Sequence, residues 1–543
     1  MTDITPLIYG PGSERHRFLD GTALARFAHD AAGREVERLA GGIHQVQAFD
    51  PQGRLVRQEG RRRATGGVGA PVYARTYGYD AADTLTLLED ARRGVKQYRY
   101  DACDRLLAVD GTNPEQFVTD PAGNILAAGP DAEFWGGEAR GDRLLVHGDA
   151  KFQYDAWGNR VKEWRAAGGA VAVDYRYDAG NRLAEVEENS RKGRTLTRFG
   201  YDALGRRVWK ESAHTPPAAA NDAATAAAPA WQRTSFLWDG DTLLAESGQT
   251  PENAADPLAT LYIYEPGSFR PLAQLRRANA DAPTQAYHYH LDHLGTPQEL
   301  TNDNGEVVWA ADHKAWGQLA RTYVATVPNP LRFQGQYHDT ETGLHYNRHR
   351  YYAPAQGRFI NQDPIRLRGG SNIAAYAPNP IQWVDPLGLA CGLELSEAQQ
   401  AEILGTPKGS RPNPSTYFSQ EAIDAHLEPF QGGVTKITSY TPTENLGPPG
   451  GTFVMPKSVA DDLITNAGGS VTELEQSLSL EPGTLGDNPM RVDVPNPQGL
   501  RMSDGNELGA NSQWVPGGRT AGGIPEATID PAPPGTYFAT PIF

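Results

Sequence analysis

Aromatic and polar residues alternate along much of the first half of this 543-residue chain. Segments such as YRYDACDRLLAV from Tyr98 and YRYDAGNRLAEVE from Tyr175 share one template, and several copies recur at intervals of about 21 to 24 residues. The template is aromatic-x-aromatic-Asp, a spacer ending in Gly or Asn, Arg, and a second alternating apolar run. Alternation places the aromatic side chains on one face of a strand, and Asp with Gly or Asn is typical of a turn. Each unit therefore predicts a β-hairpin.

One hairpin leaves its apolar face uncovered, so neighbouring units must pack side by side into an extended sheet. The composition agrees, because 59 Gly, 41 Pro and a mean hydropathy of −0.54 are typical of a turn-rich β-protein. Tyr beside Asp could also indicate sugar binding, but recurrence in every unit favours a role in turns and packing. The low-complexity segment PPAAANDAATAAAPA predicts a surface loop near residues 214–230.

The repeats end at the stretch RHRYYAPAQGRFINQDPIRLRGGSNIAAYAPNPIQWVDPLGLA, which begins at Arg348. It contains two Asp-Pro dipeptides, at Asp363 and Asp385, and the composition changes abruptly after it. Asp-Pro commonly opens a turn, so both aspartates have a purely structural interpretation. Two carboxylates held together can instead share a proton and act as acid and base on a nearby peptide bond. The spacing alone favours the turn interpretation.

The Tyr-Asp template and this stretch resemble the YD repeats and core terminus of Rhs proteins, over residues from about 25 to 389. The resemblance implies a mainly β fold in which the hairpins form an extended, curved, cocoon-like shell over residues 1–286. It also implies a core-terminal cap and autoprotease region over residues 287–389. An α+β toxin domain over residues 390–543 is expected to follow.

The pattern D-P-x-x-L-x-G-G…N-P-x-x-x-x-D-P-x-G-L is similar to the cleavage signature of Rhs proteins that cut themselves. By position, the resemblance assigns Asp363 and Asp385 as the catalytic pair and places the cut between Leu389 and Ala390. Arg366 stands where the family pattern usually has Gly.

Three histidines of the segment YHYHLDHLGTP, namely His288, His290 and His293, raise the possibility of a metal site, because a His-x-His pair on a strand places both rings on one face. No cysteine lies nearby, and the segment resembles an architectural motif of Rhs proteins. We therefore expect no metal here.

Residues after 389 must be interpreted from their own chemistry, because this part of Rhs proteins is variable. Their patterns predict a small α+β domain, with helices over 396–404, over 419–427 and twice within 457–480, and strands over 434–441, 451–456 and 491–495. From residue 391 onward there are 7 Lys/Arg and 18 Asp/Glu, which is −11 of the chain's total charge of −16. This acidity disfavours non-specific binding to nucleic acid.

The same part contains one histidine, His426, and one cysteine, Cys391. A zinc deaminase needs a pair of cysteines and a further His or Cys, so that class is excluded. Nucleases that use several histidines are disfavoured for the same reason. No apolar run approaches the length of a membrane span.

Glycines between residues 500 and 527 allow close approach of a ligand, and Asn506 and Trp514 offer polar and stacking contacts. The order Arg411, Ser439, Glu526 loosely resembles the Arg-Ser-Glu group of ADP-ribosyltransferases. The resemblance implies NAD as the substrate, with Arg411 anchoring a phosphate, Ser439 bracing the site and Glu526 holding the nicotinamide ribose. Two alternatives stay open: an atypical nuclease and a non-enzymatic surface-recognition protein.

Two cysteines cannot form a disulfide framework, which favours synthesis in a reducing cytoplasm. The start MTDITPLIYG lacks the basic and apolar regions of a signal peptide, so we expect export without one. The resemblance to Rhs proteins implies type VI secretion, delivery of the toxin into a target cell, and a cognate immunity protein. A secretion spike or a missing N-terminal Rhs part is a further expected partner.

Overall fold

The computed structural model describes residues 8–9, 14–19, 22–64, 67–101, 104–129, 136–165, 170–217, 230–250, 258–266, 268–279, 281–366, 372–377, 379–389, 400, 403–418, 423, 426–467, 469–478, 480, 483–486, 488–510, 514–518, 520 and 524–543. The chain divides into two compact units. Unit 1 comprises residues 1–366 and 371–390, and unit 2 comprises residues 367–370 and 391–543.

Unit 1 is built from antiparallel strands that pair in the order in which they occur along the chain. Within the described residues, twelve strands form the first sheet: β1 Ile8–Tyr9, β2 Glu14–Leu19, β3 Thr22–His29, β4 Glu35–Ala40, β5 Ile43–Phe49, β6 Leu55–Ala64, β7 Gly67–Tyr79, β8 Leu85–Asp90, β9 Gly94–Tyr100, β10 Leu106–Gly111, β11 Glu115–Thr119 and β12 Ile125–Gly129. Sixteen form the second sheet: β13 Gly137–Arg140, β14 Arg143–His147, β15 Ala150–Tyr154, β16 Arg160–Arg165, β17 Val171–Tyr177, β18 Leu183–Ser190, β19 Gly193–Tyr201, β20 Arg207–Thr215, β21 Gln232–Asp239, β22 Thr242–Gln249, β23 Leu258–Tyr264, β24 Pro271–Arg277, β25 Gln285–Leu291, β26 Pro297–Asn302, β27 Val307–His313 and β28 Leu319–Ala325. Four short strands form the third: β29 Tyr337–His338, β30 His345–Asn347, β31 Arg350–Ala353 and β32 Arg358–Phe359.

The predicted hairpins are confirmed, and their turns show why the template repeats. Between β17 and β18, Asp178 Oδ1 accepts hydrogen bonds from the backbone N–H groups of Gly180 and Arg182, at 2.9 and 3.0 Å. Its other oxygen, Oδ2, accepts one from Arg182 Nε at 2.9 Å. Asn181 has a φ of 63°, a left-handed conformation that Asn and Gly adopt more readily than other residues. The aspartate of the template is therefore a turn residue.

The tyrosine that precedes this aspartate connects its hairpin to the previous one. Tyr177 donates its hydroxyl to the carbonyl of Arg160 at 2.9 Å, and Tyr201 donates to the carbonyl of Leu183 at 2.6 Å. Each acceptor is the first residue of the preceding return strand. A largely buried tyrosine hydroxyl needs such a hydrogen-bond partner. The spacing of the repeats therefore places each of these hydroxyl groups within hydrogen-bonding distance of a carbonyl in the preceding hairpin.

Removing one turn carboxylate is expected to loosen a single hairpin. In Asp202→Ala, the N–H groups of Leu204 and Arg206 lose an acceptor at 3.0 and 2.9 Å, at a cost of about 1–2 kcal/mol. Native-state hydrogen exchange should become faster in the turn between β19 and β20. Arg191→Ala, at an exposed position in the turn between β18 and β19, is the control. Equal exchange rates in the two variants would contradict this role.

Buried ion pairs connect strands of unit 1 that are far apart in sequence. Glu299 on β26 is fully buried, accepts a hydrogen bond from Arg93 Nη1 at 2.7 Å and also pairs with Arg75 on β7. Lys96 on β9 donates to Asp312 on β27 at 2.7 Å. Buried charges are costly unless they are paired, so these contacts specify how β7 to β9 pack against β26 and β27.

Unit 2 is an antiparallel sheet with helices against one face. Its described elements are β33 Val434–Thr438, β34 Thr452–Pro456, α1 Lys457–Ala467, α2 Val471–Ser477, β35 Met490–Val494, β36 Ala527–Ile529 and β37 Phe538–Pro541, with the strand order β36-β34-β33-β35-β37. Ile437 and Met455 pack with Leu474 of α2 on one face. Val434 and Val454 pack in a separate core on the other face.

The two helices predicted within 457–480 are present as α1 and α2. The strand predicted over 434–441 is wrong at its end, because it stops at Thr438, whose hydroxyl donates to the carbonyl of Tyr440 at 2.6 Å and holds a bend. The helix predicted over 396–404 is helical at 400, 403 and 404 but also includes Gly405, and residues 391–399 lie outside the described part. Likewise β20 continues to Thr215, so the predicted loop begins later than 214, and residues 218–229 are not described.

Candidate functional sites

Asp363 and Asp385 converge on one arginine of unit 1. Arg350 on β31 places Nη2 at 3.1 Å from Asp363 Oδ2 and 3.2 Å from Asp385 Oδ2. All three residues are at most 2% exposed. The guanidinium also lies over the ring of Phe359, 3.6 Å from its centroid. The two aspartates therefore share one cation in a buried cluster.

The backbone leading to the predicted cut is held against this cluster. Leu389 N–H donates to Asp385 Oδ1 at 2.9 Å, and Arg350 Nε donates to the carbonyl of Gly388. Gly388 has a φ of 71°, and a Cβ there would lie 2.6 Å from the carbonyl oxygen of Asn347. Only glycine fits this position without strain. Ala390, on the far side of the predicted cut, lies outside the described residues.

The environment of Asp363 favours its protonated form. The pKa of Asp363 is raised to about 6, because burial and the nearby Asp385 together outweigh the lowering effects of Arg350 and of a hydrogen bond from the N–H of Ile365. A neighbouring carboxylate disfavours a second negative charge, so the proximity of Asp385 contributes to the raised pKa of Asp363.

Arg366 occupies a left-handed backbone position, with a φ of 56°. Its N–H donates to the carbonyl of Asp363 at 2.9 Å and closes the turn that follows the aspartate. Glycine adopts this conformation without strain, which explains why the cleavage signature usually has Gly there.

Each of the three histidines considered as metal ligands has a hydrogen bond of its own. His288 Nε2 contacts Asp303 at 2.9 Å, His290 Nε2 contacts Thr301 at 2.9 Å, and His293 Nε2 contacts the carbonyl of Ile381 at 2.8 Å. Within the described ranges, no group of three or more His, Cys, Asp or Glu residues is arranged to hold a metal. The three rings serve packing in unit 1.

In unit 2, Arg411, Asn506 and Trp514 are brought together. The backbone N–H of Arg411 donates to Asn506 Oδ1 at 3.1 Å, and Asn506 Nδ2 returns a bond to the Arg411 carbonyl at 3.0 Å. The guanidinium lies 4.8 Å from the centroid of the Trp514 ring, and its Nη1 donates to the carbonyl of Gly505 at 3.0 Å. A cation stacked on a buried ring is well placed to bind an anion.

Glu526 lies immediately before β36 and has different neighbours. His426 Nε2 contacts the carbonyl of Glu526 at 2.9 Å, and the Glu526 N–H donates to Gly518 at 2.7 Å. Burial raises the pKa of the Glu526 carboxyl to about 7, with Glu507 adding to the rise and Lys436 opposing it. Ser439 is exposed beyond the end of β33, so the predicted brace does not lie on a buried strand as expected.

Lys436 is a site candidate that the sequence interpretation missed. It lies on β33, and its Nζ donates to Thr452 Oγ1 at 2.8 Å and to the carbonyl of Phe453 at 3.4 Å. Burial lowers its pKa to about 8, while Glu526 opposes the shift. A lysine inside the apolar strand pattern VTKIT was the signal that could have identified it.

Two family models match the chain. The model described as RHS protein matches residues 286–323, and the model described as Teneurin YD-shell matches residues 49–216. The double-stranded DNA deaminase toxin A of Burkholderia cenocepacia is 34% identical, over 84% of this chain and 32% of its own length. Toxin protein Tse5 of Pseudomonas aeruginosa is 32% identical, over 70% of this chain and 32% of its own length.

This chain belongs to the Rhs/YD-repeat family of polymorphic toxins. It spans about a third of the length of the two Rhs relatives named above. A solved structure of the Photorhabdus luminescens Tc holotoxin pore is also similar, with 15% identity and a TM-score of 0.47 over 71% of this chain and 21% of that one. In the described part of this Rhs chain, no helix is both long and apolar enough to cross a membrane.

Proposed function

We propose that this Rhs chain is a toxin precursor whose unit 1 hydrolyses its own Leu389–Ala390 bond and so releases unit 2. The observation that carries the proposal is the hydrogen bond from Leu389 N–H to Asp385, in a cluster where Asp385 and Asp363 share Arg350. This bond holds the residue before the cut against one member of an acid–base pair.

The chemistry requires one water molecule and one shared proton. A carboxylate of the pair takes a proton from water as the water oxygen adds to the carbonyl carbon of Leu389. The C–N bond then breaks, and the other carboxyl gives its proton to the departing amine of Ala390. Arg350 is a positioning residue, because it holds both carboxylates in place and balances their charge.

Self-cleavage is expected to be faster at pH 5 than at pH 7.5. The raised pKa of Asp363, about 6, means that its protonated form predominates below that pH and is lost above it. The measurement is the appearance of the two fragments with time after unfolded full-length chain is refolded at each pH. We assign Asp363 as the carboxyl that gives its proton to the Ala390 amine, and a rate that rises between pH 5 and pH 7.5 would contradict this assignment.

For unit 2 we propose consumption of NAD, as an ADP-ribosyltransferase or a related enzyme. Among the described residues of this acidic unit, Lys457, Arg491 and Arg501 form ion pairs with carboxylates. Arg411 and Lys436 form none, which suits an anionic substrate. The DNA deaminase activity named for the Burkholderia relative is not carried over, because unit 2 has a single cysteine and a single histidine.

The test is loss of NAD on incubation with the purified, self-cleaved chain. Glu526→Gln should abolish the loss, and Glu473→Gln, at an exposed position on α2, should not. Constant NAD with degradation of nucleic acid would favour the atypical nuclease instead. Constant NAD without toxicity in bacteria would favour a surface-recognition protein.

The same proposal includes the biology of an interbacterial toxin. The chain would be made in the bacterial cytoplasm, exported through a secretion-system spike or a further N-terminal Rhs part, and deliver unit 2 into a target cell. A cognate immunity protein would protect the producer. Co-expression of the neighbouring small gene should then rescue bacteria that express the chain.

A further inference from the structure

Two charged residues flank Glu526 on separate elements of unit 2. Lys436 reaches from β33 to Thr452 at the start of β34, with 2.8 Å between Nζ and Oγ1. Glu507 reaches β36, where Thr528 donates its hydroxyl to Glu507 Oε1 at 3.0 Å. Thr528 lies two residues after Glu526. Lys436 and Glu507 are therefore both anchored to strands next to Glu526.

No ion pair within 4 Å joins Lys436 to either glutamate among the described residues, although the three charges influence one another. The pKa of Glu526 is raised to about 7, because burial and the nearby Glu507 outweigh the lowering effect of Lys436. Pairs of titratable groups tuned in this way are typical of catalytic sites.

Glu507 provides a separate observation that points to a ligand-binding role. The residue is 7% exposed, and its Oε1 accepts bonds from Thr528 and from the N–H of Asp504 at 3.3 Å. Its Oε2 is buried and has no hydrogen-bond partner in the described part of the chain. A buried carboxylate oxygen without a donor is unfavourable, so a hydroxyl or a cationic carbon of a substrate is a fitting partner.

The neighbouring residue connects this group to the cation on Trp514. Asn506, which precedes Glu507, binds the backbone of Arg411 in both directions, at 3.1 and 3.0 Å. A phosphate on the Arg411 guanidinium would thus be bound on the same loop that carries Glu507.

We propose that Lys436, Glu507 and Glu526 form the catalytic centre of unit 2 and act on the N-glycosidic bond of an anionic dinucleotide held by Arg411. This inference rests on the proposed NAD-consuming function and adds two residues to it. Glu507 contacts the ribose, Glu526 is the general base, and Lys436 is a positioning residue that favours the charged form of Glu526.

The reaction balances without a further cofactor. The bond between the ribose C1′ and the nicotinamide nitrogen breaks, and its electron pair leaves with neutral nicotinamide. Glu507 Oε2 stabilises the cationic sugar that remains. An acceptor O–H, from water or a target molecule, attacks C1′ and transfers its proton to Glu526.

The experiment compares NAD consumption by the self-cleaved full chain and three variants. Glu507→Gln is expected to lower kcat by about 100-fold or more, with a melting temperature equal to that of the wild type. Lys436→Arg should keep activity near neutral pH but remove the fall that deprotonation of Lys436 causes above about pH 8, because arginine does not deprotonate there. The matched control is Glu473→Gln, which should behave as the wild type. The other glutamate of α2, Glu475, is not suitable as a control, because it accepts hydrogen bonds from backbone N–H groups of the loop that follows the helix.

Two failures are distinguishable. A wild-type chain that leaves NAD unchanged overturns the proposed function and this inference with it. A wild-type chain that consumes NAD, with Glu507→Gln equally active or with Lys436→Arg unchanged in its pH profile, overturns this inference alone.

Discussion

Asp385→Asn is expected to leave the purified chain as one band of 543 residues on a denaturing gel, whereas the wild type gives fragments of 389 and 154 residues. The substitution removes the charge that Arg350 shares between the two aspartates, at 3.1 and 3.2 Å. It also removes the carboxylate that receives the Leu389 N–H at 2.9 Å. Mass spectrometry of the fragments checks that the cut follows Leu389.

Controls separate catalysis from folding. Asp363→Asn should give the same single band, since the pair works only as a unit. Asp174→Asn, on a half-exposed ion pair with Lys162 at 3.1 Å, should be cleaved as the wild type is. Two fragments from both Asp363→Asn and Asp385→Asn would mean that these aspartates only form turns.

Asp339→Asn is expected to destabilise unit 1 by about 3–5 kcal/mol, the typical cost of removing one partner of a buried ion pair. Asp339 is fully buried and accepts hydrogen bonds from Arg207 and, at 3.0 Å, from Lys210. Without its charge, two cations stay buried without full compensation. Urea unfolding followed by tryptophan fluorescence measures the change.

The pH dependence has a defined sign. Burial alone would raise the pKa of Asp339, but Arg207 and Lys210 hold it below its ordinary value. The contribution to stability is therefore present at neutral pH and is lost as the pH falls through the lowered pKa. Asp239→Asn, at an exposed position near the end of β21, is the control. A midpoint for Asp339→Asn equal to that of this control would show that the pair does not stabilise the shell.

The repeats were predictable because the contacts that form each turn join residues close together in the sequence. The aspartate and the left-handed residue of each turn lie within four positions of each other, as Asp178 and Asn181 do. The contact between Tyr177 and Arg160 spans 17 positions and follows from stacking one hairpin on the next. Periodicity along the sequence thus contains most of the information about the sheets.

The cluster around the cut was predictable only in part. Two Asp-Pro dipeptides are visible in the sequence, but Arg350 is 35 positions before Asp385, in a segment rich in basic residues. Nothing local distinguishes it from Arg348 or Arg358. Its role arises from the pairing of β31 with its neighbours, which is a property of the folded chain.

The site residues of unit 2 were harder to predict from the sequence, again because their neighbours are determined by the folded chain. Its candidate residues lie on irregular loops, whose paths depend on turns and backbone contacts rather than on periodicity. Arg411 and Trp514, selected from their chemistry, lie next to each other in the fold, whereas Ser439 lies in an exposed bend and Lys436 was overlooked. The sequence shows which loop residues are polar, but it does not show which residues lie next to them in the folded structure.

The buried ion pairs between the first sheet and β26 also affect when the early strands can pack during translation. Arg75 and Arg93 leave the ribosome more than 200 positions before Glu299, which together with the nearby Asp90 compensates their charges. Until Glu299 appears, one carboxylate faces two guanidinium groups, so their charges are only partly compensated. A nascent chain that ends before β26 therefore lacks the Glu299 carboxylate that completes the buried ion pairs of Arg75 and Arg93.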